Sequence, residues 1–162
     1  MTVATMGPVP GAGGTESGAS APQVAPTTSA APVVSVPHAA SVFFALDDRL
    51  RLVFLSQADS IHGLHIGRAA PVAVTVTEQY ADWEQIQGVQ LWGTAKRVTG
   101  PGKVAAMAVY VRRFPFVEDV MAQPRLAAAM RKVAVYRIEP QRIALTDNTT
   151  GVFGRQILDL KG

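Results

Sequence analysis

Cysteine is missing altogether, and its absence excludes disulfides, thiolate nucleophiles, Cys-ligated zinc and iron–sulfur clusters. Charge is missing from the front of the chain, where Glu16 is the only charged side chain before Asp47. Long apolar runs are missing too. None reaches the roughly 20 residues that carry a helix across a bilayer, so no membrane partner is expected. No glycine-rich nucleotide loop, Ser-His-Asp set or paired carboxylates stand out. The formal charge of +3 is scattered, with adjacent basic pairs only at Lys96-Arg97, Arg112-Arg113 and Arg131-Lys132. A nucleic-acid surface needs a denser stripe with aromatics between the charges, and none is expected.

What is present divides in two. Residues 1–32 are rich in Ala, Gly, Pro, Ser and Thr. Such a segment has too little bulky apolar surface to offset the entropy of ordering it, so a disordered leader is expected there and a single domain over 33–162. The leader has no basic n-region and no unbroken apolar stretch, which argues against a secretory signal and for a cytoplasmic chain. A mistaken start site or reading frame is the other account of it.

From residue 33 the texture becomes strand-like. Residues 33–36 are the one candidate for a first strand; 41–45 read as a strand, 46–49 as a turn and 50–56 as the antiparallel return. A short helix follows from Ile61 to about Ala69, capped by Asp59 or Ser60, with Ile61, Leu64 and His65 on one face and Pro71 as its stop. Strands are expected at 72–77 and 88–98, the latter with a mid-strand glycine, Gly93, that marks a bulge or a close approach. Prolines 101, 115 and 124 open three helices, the first turning Val104, Ala105, Ala108 and Val111 inward. A hairpin around Glu139-Pro140-Gln141 and a last strand near 156–160 complete the chain. The expected fold is mainly β (α+β), an antiparallel sheet closed as a barrel with short flanking helices.

The run 41–56 (SVFFALDDRLRLVFLS) resembles the second and third strands of the pyridoxamine 5′-phosphate oxidase-like split β-barrels. Ser60, the short helix and Pro71-Val72-Ala73-Val74 are similar to that family's stretch of serine, basic pair, helix and strand. Asp82-Trp83 with 86–95 looks like the next family strand, and 136–148 with Phe153-Gly154-Arg155 matches the closing hairpin. The resemblance covers 38–160. Two departures stand out: no turn links a first strand to the strand holding Phe43, and the family's basic pair is replaced by Ile61 and His62.

The resemblance implies a homodimer that holds FMN and acts as a flavin-dependent oxidoreductase on an unknown small molecule. It assigns the flavin slot to Phe43, Phe44, Ala45, Phe54 and Ser56, and the phosphate end to Ser56, Ser60 and His62. Gln90 becomes an edge contact, and Gly93 a point of close approach. Each assignment has a plainer counterpart: Ser60 as a helix cap with His62 facing solvent, and the aromatics as core or interface packing. Arg155 either reaches a partner's flavin or is a surface arginine, the latter being expected. His62 and His65, with Asp59 nearby, lack a third convergent ligand, so no metal is expected. The rival function is a non-enzymatic module on the same barrel, binding heme, a deazaflavin or nothing.

Overall fold

Burial alternates residue by residue along most of the strands, and that alternation builds two cores on either side of one curved sheet. The computed structural model of the protein describes residues 1–8, 35–151 and 154–160. Among them are strands β1 (Thr2–Pro8), β2 (Ser35–Ser41), β3 (Phe44–Leu46), β4 (Leu52–Gln57), β5 (Ala69–Thr77), β6 (Gln87–Val98), β7 (Val133–Asp147) and β8 (Arg155–Asp159). Helix α1 (Ile61–Ile66) follows β4, and α2 (Gly100–Arg113), α3 (Phe116–Ala122) and α4 (Pro124–Met130) lie between β6 and β7.

Every pairing is antiparallel, in the order β2-β1-β5-β6-β7-β4-β3, with β8 also beside β7. The end strands β2 and β3 are separated in the chain only by Val42 and Phe43. So short a link spans about 10 Å at most. The sheet therefore curls until its two ends meet, which is a barrel. β7 pairs with β6 along its length, while its first half also holds β4 and its second half holds β8. One long strand thus serves both barrel and flange, and the architecture is the expected antiparallel split barrel with short helices.

Inside the barrel Val3, Leu52, Phe54, Val74, Tyr136 and Ile138 form the main core, with Phe54 stacked on Tyr136 at 5.0 Å between ring centroids. Burying each such side chain is worth about 1.5–3 kcal/mol. On the outer wall Ala45, Val53 and Val135 pack beneath Ala106, Tyr110 and Val117 of α2 and α3. β4 shows the division directly: Leu52 and Phe54 point in, Val53 points out.

Several expectations are corrected. Thr2–Pro8 is a strand, with Val3 and Thr5 buried, so the leader is not disordered from its first residue; the rest of it up to Ser35 lies outside the described residues. β2 runs through Pro37 and His38 and stops at Ser41, leaving Val42 N to bond Met1 O at 2.9 Å. Gly67, at φ 52°, ends α1 well before Pro71. Pro71 sits inside β5, outside the stretch paired with β1, so its missing donor costs no bond there. The buried face of α1 is His62, Gly63, His65 and Ile66, whereas Ile61 and Leu64 are exposed.

In α2 the stripe of Ala106 and Tyr110 faces in, continued by half-buried Phe114, and Val104 is 71% exposed. Two stripes satisfy the helical period, and the larger rings decide between them. The hairpin at 139–141 is instead a bulge: Trp92 opposes Arg142 and Gly93 opposes Pro140, so Gln141 is skipped. Proline cannot donate to the ladder, and a bulge accommodates it without breaking the strand.

Candidate functional site

Three of the residues assigned to the phosphate end do come together. His62 Nε2 lies 2.6 Å from Ser56 Oγ and 3.2 Å from Ser60 Oγ, and the two hydroxyls are 3.3 Å apart. β4 delivers Ser56 from its last turns of alternation, and α1 delivers the others. Ser60 is also the helix cap: its Oγ accepts from Gly63 N at 3.1 Å and donates to Gln57 O at 2.7 Å. His62 does not face solvent. It is 7% exposed.

Around it the chain's three histidines gather. His38, from β2, stacks on His62 with centroids 5.9 Å apart and planes 5° off parallel, and meets His65 edge-on at 6.2 Å. His65 Nδ1 is 3.0 Å from Thr5 Oγ1, and its Nε2 donates to Pro8 O at 3.2 Å. The ring rests on Gly7, where a β-carbon would come within 2.3 Å of it. Thr5 and His38 face each other across the β1–β2 pair. Thr5, Gly7 and Pro8 escaped the sequence reading because they come from a segment assigned to disorder. The side chains that alternate inward are Val3, Thr5 and Gly7, and with a threonine and a glycine among them the segment shows no apolar period in its sequence.

Desolvation holds His62 below its ordinary value of 6.5, helped by charge on His38 and His65, so the imidazole is neutral at pH 7. No carboxylate makes an ion pair with the cluster among the described residues. Two hydroxyls and an imidazole converge at one point, a donor set of the kind an oxygen-rich terminal group takes, which would replace the bonds Ser56 and His62 make to each other. At this point positive charge comes from protonated imidazole and not from a lysine or arginine.

The remaining assignments scatter. Phe54 is fully buried against Tyr136, and Ala45 is 2% exposed under α2, so neither presents a surface to a ligand. Phe44 packs partly against the barrel core. Phe43 is exposed and touches Phe114 edge-on at 5.5 Å. Gly93 makes room for protein: a β-carbon there would lie 2.3 Å from Glu139 O on β7. Gln90 is exposed on β6 and accepts from Arg155 Nη2 at 2.9 Å, which places Arg155 on its own chain's surface. Ser56 pairs with Ala134 and Gln90 with Ala144, ten residues further along β7. An extended strand covers roughly 33 Å over that distance.

No protein-family model matches the chain. Curated relatives do. A UPF0306 protein of Cronobacter sakazakii is 38% identical over 120 residues, 73% of this chain and 75% of that one. The chain belongs to the UPF0306 family. UPF0306 proteins of Klebsiella pneumoniae (34% over 119 residues, 73% of each chain) and of Escherichia coli O157:H7 (YhbP, 32% over 124 residues, 76% of each) are similar to it.

Among solved structures, the UPF0306 chain is similar to the heme binding protein from Mycobacterium smegmatis, with a TM-score of 0.57 and 16% identity over 98% of this chain and 52% of that one. It therefore spans about half of that neighbour. Protein Rv2991 from Mycobacterium tuberculosis has a TM-score of 0.56 and 20% identity over 78% of each chain. At such identities the likeness is one of fold. In this UPF0306 chain, accordingly, the resemblance read from sequence holds at the level of the split barrel. Among the described residues no helix is long and apolar enough to cross a membrane.

Proposed function

We propose that the protein binds FMN and works as an FMN-dependent oxidoreductase on a small molecule, with the cofactor held where two copies of the chain meet. The observation that carries this reading is the convergence of Ser56, Ser60 and His62 within 3.3 Å of one another at the junction of barrel and short helix. Bound flavin would supply the hydride chemistry, while the chain positions it and excludes water. Two copies belong to the proposal because Ser56, on β4, and Gln90, on β6, pair with opposite halves of β7. A ligand touching both draws them from different chains. Exposed Trp92, Ile157 and Leu158 offer apolar surface for such a contact.

The test is the visible spectrum of freshly isolated protein, followed by FMN titration at about pH 6 and about pH 8, on either side of the imidazole range. Flavin bands are expected, with tighter binding at the lower pH, where a larger share of His62 carries a proton. A folded dimer with no flavin bands and no saturable FMN uptake refutes the reading.

A second reading is favoured by one observation. The ring of His38 makes no side-chain hydrogen bond among the described residues and stands beside two other imidazoles. Together with the split-barrel neighbour named as a heme binding protein, this points to a non-enzymatic heme module. Added heme would then give a Soret band that His38→Ala abolishes. A spectrum unchanged by that substitution removes this reading.

A further inference from the structure

On the far side of α1 from Ser60 lies a cleft of about 740 Å³, lined by Arg68, Ala69, Lys96, Arg97 and Thr99. It opens where β5 begins and β6 ends. The backbone ties these ends together: Arg97 N donates to Arg68 O at 3.1 Å, and Ala69 pairs with Lys96. Successive strand residues point to opposite faces, so Lys96 and Arg97 approach the cleft from the two sides of the β6 end.

The charge there is one-sided. Lys96 Nζ is 2.7 Å from Glu139 Oε2, and Arg137 Nη2 shares the same carboxylate at 3.4 Å. One carboxylate thus answers two cations. Arg68 and Arg97 make no ion pair among the described residues, and no acidic side chain lines the cleft. Arg137 Nε, in the next strand, is buried without an acceptor. Thr99 precedes α2 and its side chain caps nothing, so its hydroxyl is also uncommitted.

We infer that this cleft is a second ligand site, for a small molecule carrying a phosphate ester or pyrophosphate. Two guanidinium forks and an ammonium suit a multi-oxygen anion, which accepts bidentate bonds from each fork. The lining exceeds what a phosphate group alone fills and falls in the roughly 300–1,000 Å³ range of small-molecule sites, which leaves room for an organic moiety. The cations occupy a single cleft rather than a stripe, so one anionic group is recognised and not a polymer backbone. The inference is independent of FMN binding at Ser60, because the two places flank opposite ends of α1.

The experiment uses the full chain and titrates inorganic pyrophosphate and AMP calorimetrically at constant ionic strength. Four variants accompany the wild type: Arg68→Glu, Arg97→Glu, Ser60→Asp and, as a basic control outside the cleft lining, Lys103→Glu. Arg68 and Arg97 are both exposed, so their variants are expected to retain the wild-type circular dichroism. Saturable binding is expected in the wild type and the Lys103 variant. It should weaken about tenfold or more in each arginine variant, the loss that follows from removing one charge-assisted contact. Absence of saturable binding overturns the inference, as does equal binding in the wild type and both arginine variants. Loss of pyrophosphate binding in Ser60→Asp with no effect of Arg68→Glu would assign the anion to the other site. A duplex oligonucleotide that displaces pyrophosphate at far lower concentration would overturn the small-molecule assignment.

Discussion

Replacing Gly93 with alanine separates a glycine needed by the fold from one needed by a ligand. The added β-carbon would sit 2.3 Å from Glu139 O and 3.0 Å from both Glu139 C and Pro140 Cα. All three are backbone atoms, so no side chain swings away to relieve the contact. Restoring an ordinary separation moves β7 by about 1 Å at the bulge, against a ladder fixed on both sides by Trp92–Arg142 and Thr94–Glu139. Overpacking of this kind costs about 1–3 kcal/mol, and one or two weakened ladder bonds add about 1 kcal/mol each. The expected loss is about 3 kcal/mol, or a fall in Tm of about 6–12 °C for a chain of this size.

Urea and thermal denaturation of the cofactor-free protein measure it, with Gly88→Ala on the same strand as control. There the nearest atom to an added β-carbon is 3.5 Å away, so that variant is expected to be neutral or stabilised by up to about 1 kcal/mol. A Gly93→Ala protein within about 0.5 kcal/mol of wild type, the scatter of ordinary surface substitutions, refutes the reasoning. If FMN affinity alone then dropped, the glycine would belong to the ligand after all.

Two further outcomes bear on the site. Ser60→Ala removes the cap of α1 and should destabilise the protein by about 1 kcal/mol, whereas Ser60→Asp keeps a good cap yet places a carboxylate beside Ser56. The aspartate variant is therefore expected to hold its Tm while losing FMN affinity at least tenfold; unchanged affinity would reduce Ser60 to a cap. The pH dependence of stability follows from His62. Its native value lies below 6.5, with burial the largest cause, so on acidification the unfolded chain takes up its proton first. Its contribution to stability is complete above about pH 6.5 and declines as pH falls beneath that, until native His62 itself titrates. His62→Gln should flatten that part of a urea-midpoint curve, and an unaltered slope would deny His62 the role.

What the sequence made legible was local. Leu52, Val53 and Phe54 declare a strand packed on both faces, and Ser56, Ser60 and His62 fall within one strand-to-helix junction, so their spacing alone brings them together. What it concealed depends on distant partners. Composition averaged over 32 residues hides a strand of seven, because Thr2–Pro8 gains its burial only from β2 and β5. Gly93 announced a close approach but not what approaches. Pro140 signals a turn unless a facing strand absorbs it in a bulge. His38 gave no sign at all, since its neighbours on the cluster are 24 or more residues away in the chain.

The strand that was missed also joins fold to site. β1 is paired on one side with β5 and on the other with β2, so it completes the barrel wall. The same strand supplies Thr5 and Pro8 to His65, and, through its pairing with β2, holds His38 over His62. The histidine cluster therefore exists only while β1 is docked. A ligand that also touches His38 or His65 binds the closed barrel better than an opened one. By mass action it stabilises the docked strand, and conversely a change that loosens β1 weakens binding without touching a single contact atom. Affinity at the cluster and closure of the barrel are two readouts of one equilibrium.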